Sequence, residues 1–378
     1  MITATGWTVG AIAAFLTGGG LLVGQAPVIA LGAIGLFSLA GAWAWTLRRY
    51  SFTVARTLDS PRVAVGGEVV SRAVLTNVGR SRAPGMMLLD RVGEQTIVSG
   101  IGAVPPNGSQ TIRHVLPTMQ RGVLPVGPIQ IQRSDPLGLV RRTRGYGEES
   151  CLRVHPRVIP LELPPVGLDR SLDGDGLNEL RGDMQFDSLR EYVPGDDVRR
   201  IHWRSSARSA TLLVREHVDV CQPATTVMLD NREAVWSSDD AFEHAVAAAT
   251  SLAFASARSG HPTLLQTLSD ACQPRRGDLG ELLDFASEIS RAVGTERPGP
   301  VLERVGRSTL SDLLVFITGD LDAPSAREVA AVTAGWLNRT CVTFGTADSQ
   351  VPAGVPTIAA QQVGDFVRAW SRRVEVAA

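Results

Sequence analysis

The sequence lacks lysine, so every one of its 37 basic residues is an arginine. Paired metal-binding residues are also missing: no CxxC occurs, and the six histidines form neither an HxH nor an HxxxH spacing. These absences argue against a zinc site and against a disulfide framework. No Walker motif occurs, so an ATPase acting with this chain has to be a separate protein. We therefore expect no metal, no cofactor and a reducing compartment around four solitary cysteines: Cys151, Cys221, Cys272 and Cys341.

An excess of charge of either sign is missing as well. The 378 residues have a net charge of −1, and such a balance does not favour nucleic acid as a partner. Hydrophobic residues make up 44% of the chain. At this length, that fraction predicts two or three modules, each with its own buried core.

The N-terminal region carries no formal charge from Trp7 to Trp45. A helix needs about 20 apolar residues to cross the hydrocarbon core of a bilayer, and this run is long enough for two crossings. Gln25 and Pro27 interrupt it in the middle. We predict one span near residues 7–24 and a second near 27–46, so that residues 1–50 form a two-helix transmembrane hairpin anchor.

The residues after the second predicted span indicate its orientation. Tyr50 lies next to Arg48 and Arg49, and positive charge beside a span marks the cytoplasmic side. A hairpin then places its N-terminus and the rest of the chain in the cytoplasm, as in a multi-pass protein of the cytoplasmic membrane. A cleavable signal peptide is the alternative, but MITATGW has no basic region to support it.

In residues 51–155, apolar residues recur at every second position, as is typical of β-strands. Short runs rich in valine, isoleucine and threonine predict strands: VARTL, EVVSRAVLTN, MMLLD, QTIVSGI, SQTIRHVL and GPIQIQR. The segments between them carry turn residues: PRVAVGG, VGRSRAPG, PPNG and RGVLPVG. This pattern predicts an antiparallel β-sandwich of immunoglobulin type. We expect it to provide spacing and protein contact, because no polar cluster in it suggests chemistry.

After residues 156–218, read as a linker and a charged motif, residues 219–378 alternate apolar strands with helical patterns. This predicts an α/β domain with a mainly parallel sheet. Two strands end in acid, at Asp230 and Asp320, and the layout resembles a von Willebrand factor A domain, a Rossmann-like fold. The DxSxS metal motif of that fold is degenerate here, with Arg232 and Ala234 at the two serine positions. An arginine competes with a cation for the aspartate, so we favour protein contact over metal binding at this edge.

The most charged stretch is LREYVPGDDVRRIHWRSSAR, residues 189–208. Its Pro-Gly-Asp-Asp segment is typical of a turn and predicts a helix start near Val198. As an enzyme site, it would use Asp196, Asp197 and His202 as acid, base or metal ligand, but no nucleophile with a positioned base is evident. Its arginines could also bind phosphate or nucleic acid. The balance of signs favours a third interpretation, an ionic brace between modules or a protein docking surface.

This stretch closely resembles the signature of a bacterial family known as domain of unknown function 58 (DUF58). The pattern includes Ile201, Ser206 and Ala207, and one departure is His202, where relatives commonly have an acid. The segments RGVLPVGPIQIQRSDPLGLVRR and VHPRVIPL resemble the same family upstream of the motif. The residues that we expect to carry the motif's interaction are Arg190, Tyr192, Pro194, Gly195, Asp196, Asp197, Arg200, His202, Trp203 and Arg208.

The resemblance implies a membrane-anchored, non-enzymatic adaptor or scaffold. Its expected partner is a MoxR-type AAA+ ATPase, with which it would assemble or remodel envelope protein complexes. Two alternatives stay open at this point. One is a ligand-binding module that depends on a divalent metal at Asp230 and Asp320, and the other is a hydrolase that uses Asp197 and His202.

Overall fold

The computed structural model describes residues 1–48, 50–164, 184–193, 201–209, 211–219, 224–274, 278–294, 297–308, 312–336, 338–346 and 349–377. The chain divides into two compact units, Met1–Pro156 and Arg157–Ala378. The first contains two apolar helices and most of the antiparallel strands. The second contains a mixed α/β sheet.

The first unit begins with two apolar helices, α1 (Ala4–Val23) and α2 (Ala26–Leu47). The side chain of Thr3 caps α1 by accepting a hydrogen bond from the Gly6 N–H at 3.1 Å. Gly24 ends α1 at a φ of 71°, which suits glycine. With 20 and 22 residues, both helices are long and apolar enough to cross a membrane, and this indicates membrane association.

The two helices pack closely because small residues line their contact. A Cβ added at Gly32 would lie 2.6 Å from the Thr17 backbone nitrogen, and one at Gly20 would lie 2.9 Å from the Ile29 nitrogen. Glycine is therefore required at both positions. Such close approach of backbones is the usual basis of helix association in membranes.

The start of α1 is fixed to a loop of the β-rich part, residues 135–140, which we call the docking loop. The Thr3 N–H donates to the Leu139 carbonyl at 2.9 Å, and the Thr3 hydroxyl contacts the same carbonyl at 3.0 Å. Leu139 and Val140 are buried in a small apolar cluster with Ala42 of α2. The docking loop thus joins both helices to the rest of the first unit.

The β-rich part contains two sheets. One is three-stranded and antiparallel in the order β1-β3-β6. The other has the order β2-β9-β7-β4-β5, with β8 paired to β7, and only the β2–β9 pair is parallel. The strands are β1 (Phe52–Leu58), β2 (Arg62–Ala64), β3 (Val70–Asn77), β4 (Met86–Val92), β5 (Gln95–Ile101), β6 (Ser109–Val115), β7 (Gly122–Ser134), β8 (Arg141–Tyr146) and β9 (Ser150–His155).

Two segments predicted as turns are strands in the structure. PRVAVGG contains β2, and RGVLPVG forms the first half of the 13-residue β7. Pro125 and Gly127 gave the turn prediction, but here they accompany a register shift between β4 and β7 after Asp90, and Gly127 has a φ of 101°. Proline and glycine within a strand often mark such an irregularity.

Both sheets contribute to one buried apolar cluster, so their inner faces share a core. The alternation of buried and more exposed residues along β3 and β4 provides this face on each side. The buried members come from β1, β3, β4, β5, β6 and β7 and the loops beside them: Phe52, Ala73, Leu75, Ala83, Met86, Leu88, Ile101, Val104, Ile112, Ile129 and Ile131.

The second unit contains a six-stranded sheet in the order β14-β13-β12-β15-β16-β17. Only β14 is antiparallel to its neighbour. Residues Val227 and Leu229 of β12 belong to one buried cluster and Met228 to another, so both faces of the sheet are covered. The strands are β12 (Thr225–Leu229), β13 (Thr263–Thr267), β14 (Ala271–Cys272), β15 (Leu313–Thr318), β16 (Asn338–Thr343) and β17 (Thr357–Ala359).

Within the described part of this unit, five helices accompany the sheet: α4 (Asp239–Arg258), α5 (Leu279–Glu288), α6 (Pro298–Ser308), α7 (Ala323–Thr333) and α8 (Val363–Ala377). Phe366 and Trp370 of α8 pack in the same cluster as Leu252 of α4. Leu302 of α6 and Val329 of α7 lie in the other cluster.

The charged motif lies between the remaining strands, β10 (Met184–Glu191) and β11 (Leu213–Asp219), which form a separate antiparallel pair. A short helix, α3 (Trp203–Ser209), lies between them in sequence. The charged part of residues 156–218 therefore includes regular structure, while most of the predicted linker lies outside the described residues. The helix start predicted near Val198 lies outside the described residues.

Candidate functional site

Strands β10 and β11, which flank the charged motif in sequence, pair with each other. Arg190 pairs with Val214 and Glu191 with Leu213 in the antiparallel register. Beyond the strand, the Tyr192 N–H donates to the Leu212 carbonyl at 2.8 Å. The two ends of the motif are thus held together by backbone hydrogen bonds.

The structure describes half of the residues singled out from the sequence. Arg190, Tyr192, His202, Trp203 and Arg208 belong to this half. The other predicted site residues lie outside the described residues: Pro194, Gly195, Asp196, Asp197 and Arg200.

His202 precedes α3 and caps it. Its Nδ1 lies 3.2 Å from the Ser205 backbone nitrogen and 2.8 Å from the Ser205 Oγ. Because a backbone N–H can only donate, Nδ1 is the acceptor, as the side chain of an N-cap residue is. The His202 backbone N–H donates to the Leu213 carbonyl at 2.8 Å. The histidine therefore has a structural task at the start of this helix.

Ser206 connects α3 to β11 and was missed as a key residue. Its Oγ donates to the His202 carbonyl at 3.1 Å and accepts from the Leu213 N–H at 2.8 Å. Ile201 pairs with Val214, and these residues are buried. A serine on a short, polar helix gives no sequence signal for such a role, because its second partner lies seven residues further along the chain.

The opposite side of α3 is exposed. Trp203 has 65% of its surface accessible, and Arg204 and Arg208 are exposed as well. A buried tryptophan needs no further explanation, but an exposed one beside two arginines resembles the centre of a binding surface, where both residue types are enriched. We call Trp203, Arg204 and Arg208 the α3 surface.

At the end of β12, the buried Asp230 carboxylate is engaged by Arg232. The guanidinium makes two contacts, Nε to Oδ1 at 3.0 Å and Nη2 to Oδ2 at 2.7 Å. The Thr318 hydroxyl also donates to Oδ2 at 3.1 Å. Burial by itself lowers the pKa of Arg232, but the hydrogen bonds and charge of Asp230 raise it above its ordinary value.

Asp320, the second acid at this edge, has different partners. Its Oδ1 accepts from the Thr346 N–H at 2.7 Å and from the Thr346 hydroxyl at 3.0 Å. A Cβ at Gly345 would lie 2.2 Å from the same oxygen, so this loop approaches Asp320 closely. Each acid at the edge is satisfied by donors of the protein itself.

These partners do not fit a divalent cation. Both oxygens of Asp230 face Arg232, and a guanidinium supplies charge of the wrong sign to a metal site. Across the described ranges, no three His, Cys, Asp or Glu side chains are grouped so that they could hold a metal ion. The arrangement suits an edge fixed by internal hydrogen bonds rather than a metal centre.

The β-rich part also contains a buried charged cluster, which the sequence patterns did not indicate. Asp90 on β4 is fully buried and pairs with Arg56 on β1, and His114 Nε2 on β6 lies 2.8 Å from Asp90 Oδ2. Burial lowers the pKa of Arg56, while the charge of Asp90 opposes this shift. Since Asp90 belongs to one sheet and its partners to the other, the cluster links the two sheets.

Taken together, these features define a class: a chain with two apolar N-terminal helices, a β-sheet unit and an α/β unit that contains a charged hairpin. A family model described as "Protein of unknown function DUF58" matches residues 188–308, which include the motif, α3 and the Asp230 edge. The chain is also similar to the uncharacterized protein YeaD of Bacillus subtilis (strain 168), with 23% identity over 225 residues. This match covers 56% of the chain and 54% of YeaD, so the chain spans about half the length of that relative.

Similarity to solved structures is low. The CARDB domain of the PF1109 protein from Pyrococcus furiosus matches 28% of this chain and 93% of that domain, with 13% identity and a TM-score of 0.22. Cwp6 from Clostridium difficile matches 81% of this chain and 36% of that protein, with 8% identity and a TM-score of 0.18. Scores of this size carry no information on the fold or function of this chain.

Proposed function

We propose that this chain is a membrane-anchored, non-enzymatic adaptor whose partner is a MoxR-type AAA+ ATPase. Together they would assemble or remodel protein complexes of the envelope. The observation that carries the proposal is the α3 surface, an exposed tryptophan beside two exposed arginines within the matched family region.

The proposal includes the finer architecture. The two sheets of the first unit form an antiparallel, immunoglobulin-like sandwich, for which the shared core and the Asp90 cluster between the sheets are the support. The second unit is a von Willebrand factor A-like domain. Its support is the parallel central sheet, covered on both faces, with an acid following each of two adjacent strands.

The helices would cross the cytoplasmic membrane as a hairpin, with the remaining chain in the cytoplasm. Two observations support this orientation. Arg48 directly follows α2, and positive charge favours the cytoplasmic side. The contact of Thr3 with the docking loop also places the start of α1 beside the β-rich part, as a hairpin requires.

The geometry argues against the two alternative functions. A hydrolase that uses His202 as its base would need an unprotonated ring nitrogen facing the substrate, yet Nδ1 accepts the Ser205 N–H and the proton of the neutral ring is therefore on Nε2. A metal-dependent binding module would need an available Asp230, yet this carboxylate is buried and engaged by Arg232. In the adaptor, both groups instead stabilise the surfaces on which they lie.

The α3 surface makes the adaptor testable. Tagged full-length chain is purified from native membranes, and the recovery of a MoxR-type ATPase is quantified by mass spectrometry. Loss of a tryptophan at the centre of an interface costs about 2 kcal/mol or more, so Trp203→Ala should weaken the association about thirtyfold. Val293→Ala is the matched control, since Val293 is an apolar residue of the same unit with 84% exposure.

Circular dichroism has to show that both variants are folded. Equal recovery of the ATPase with wild type and Trp203→Ala would remove the α3 surface from the proposal. Absence of any such ATPase with the wild-type chain would remove the partner itself.

A further inference from the structure

The first unit contains a cavity of about 400 Å³. It lies where α2 ends and the β-rich part begins. Four arginines line it: Arg48 after α2, Arg133 on β7, and Arg142 and Arg144 on β8. The described residues that line this cavity include no carboxylate.

The strand register concentrates the positive charge. Arg133 is directly opposite Arg142 in the β7–β8 pair, and Arg144 is opposite Ile131, one step further along the same face. Like charges directly opposite each other destabilise a strand pair. A bound anion would remove this cost, and neighbouring arginines are well suited to bind phosphate oxygens.

Arg133 is the buried arginine of the cavity, and its neighbours hold it in a fixed position. It is only 7% exposed, and its Nη1 donates to the Arg48 carbonyl at 2.9 Å. Its guanidinium lies 4.8 Å from the Tyr50 ring centre and 5.8 Å from that of Trp45. Its Nε is buried without a hydrogen-bond partner. A buried, unpaired donor at a fixed position is costly unless a ligand accepts its hydrogen bond.

Burial lowers the pKa of Arg133; the nearby Tyr50 opposes this shift, and the positive charge of Arg48 adds to it. Anion binding would favour the charged form. The exposed residues Arg142 and Arg144 also line the cavity, and the Arg144 guanidinium lies 5.4 Å from the centre of the Tyr146 ring.

The position of the cavity indicates which kind of molecule would supply the anion. Thr46 and Arg48, at the end of α2, belong to its lining. If α2 crosses the membrane, this end lies at the depth of the phospholipid headgroups. Basic pockets next to a span bind anionic lipid headgroups, and aromatic rings are enriched at the same depth.

We propose that this cavity binds the phosphate of an anionic phospholipid such as phosphatidylglycerol. The inference rests on the membrane anchoring contained in the proposed function, but not on the ATPase partner. A bound headgroup would fix β8 against the end of α2.

The experiment uses purified, delipidated full-length chain in detergent. Binding of phosphatidylglycerol and of phosphatidylcholine is measured by native mass spectrometry. The test variant is Arg142→Gln/Arg144→Gln, in which both residues are exposed. The matched control is Arg80→Gln/Arg82→Gln, which removes the same charge from exposed positions of the same unit outside the cavity lining.

Wild type and control should bind phosphatidylglycerol more tightly than phosphatidylcholine, and the test variant should bind it about tenfold more weakly or worse, because each arginine near an anionic lipid contributes substantially. Equal binding by test variant and control overturns the proposal. Soluble glycerol phosphate is the second arm: if it displaces the lipid at equimolar concentration, the site recognises free phosphate and the headgroup proposal is wrong.

Flotation with phosphatidylcholine vesicles tests membrane anchoring separately from headgroup binding. A chain that does not float contradicts the membrane anchoring, and with it this inference. A chain that floats but shows no preference for phosphatidylglycerol contradicts the headgroup site alone and leaves the adaptor proposal standing.

Discussion

Replacement of Asp90 by alanine tests the buried charged cluster of the first unit. The Asp90 side chain is fully buried, and those of Arg56 and His114 are only 7% and 9% exposed. Without Asp90, the Arg56 guanidinium is left in the core with no counter-charge. Breaking a buried pair in this way costs about 3–5 kcal/mol. Since a typical domain is stable by about 5–15 kcal/mol, Asp90→Ala should remove a large fraction of the stability of the β-sheet unit.

The assay is hydrogen exchange, measured by mass spectrometry on peptides from β4 and β7 of the full-length chain in detergent. It reports the free energy of opening of these strands separately from the second unit. Asp59→Ala is the control, because Asp59 is 52% exposed and lies 3.9 Å from Arg72. An exposed pair of this kind is worth less than about 1 kcal/mol.

A double variant distinguishes a charge effect from a simple packing defect. In Asp90→Leu with Arg56→Met, both charges are replaced by apolar groups, which is often neutral for a buried pair. The double variant should therefore be more stable than Asp90→Ala. The reasoning is refuted if Asp90→Ala costs no more than the Asp59 control, or if the double variant is as unstable as the single one.

Three further predictions concern other positions. Gly6→Ala places a methyl group 2.2 Å from the carbonyl of the docking loop and should increase proteolysis of that loop, whereas Gly18→Ala, with open space around it, should not. Arg232→Ala leaves a buried carboxylate unpaired and should lower the urea midpoint of the second unit, read by tryptophan fluorescence, by an amount equivalent to about 3 kcal/mol. Burial raises the pKa of Cys341 to about 12, so little thiolate forms at pH 8. Iodoacetamide should therefore label the exposed Cys151 and leave Cys341 unlabelled until the chain unfolds, as measured by peptide mass spectrometry.

The features that the sequence predicted are local in the chain. The two apolar helices follow from an uncharged run, and the strands that carry Asp230 and Asp320 follow from continuous apolar segments. The sequence also predicted that Arg232 would compete with a cation for the Asp230 carboxylate, because the two residues are only two positions apart.

The features that it did not predict depend on distant residues. Arg56 and Asp90 are 34 positions apart and lie on different sheets, and no period in either strand indicates that they meet. The length of β7 was missed because Pro125 and Gly127 are typical of turns, and only the pairing with β4 and β9 makes them part of a strand. The capping by His202 depends on the start of α3 at Trp203, a position that the sequence pattern did not single out.

The docking loop has a consequence for biosynthesis. A chain leaves the ribosome from its N-terminus, so α1 and α2 are complete long before Leu139 is made. If the helix pair enters the bilayer, it does so while Thr3 and Gly6 still lack their final partner in the docking loop. The two helices therefore reach their final contacts only after most of the β-rich part has been translated, and a defect in β7 or β8 would leave both helices formed but without these contacts.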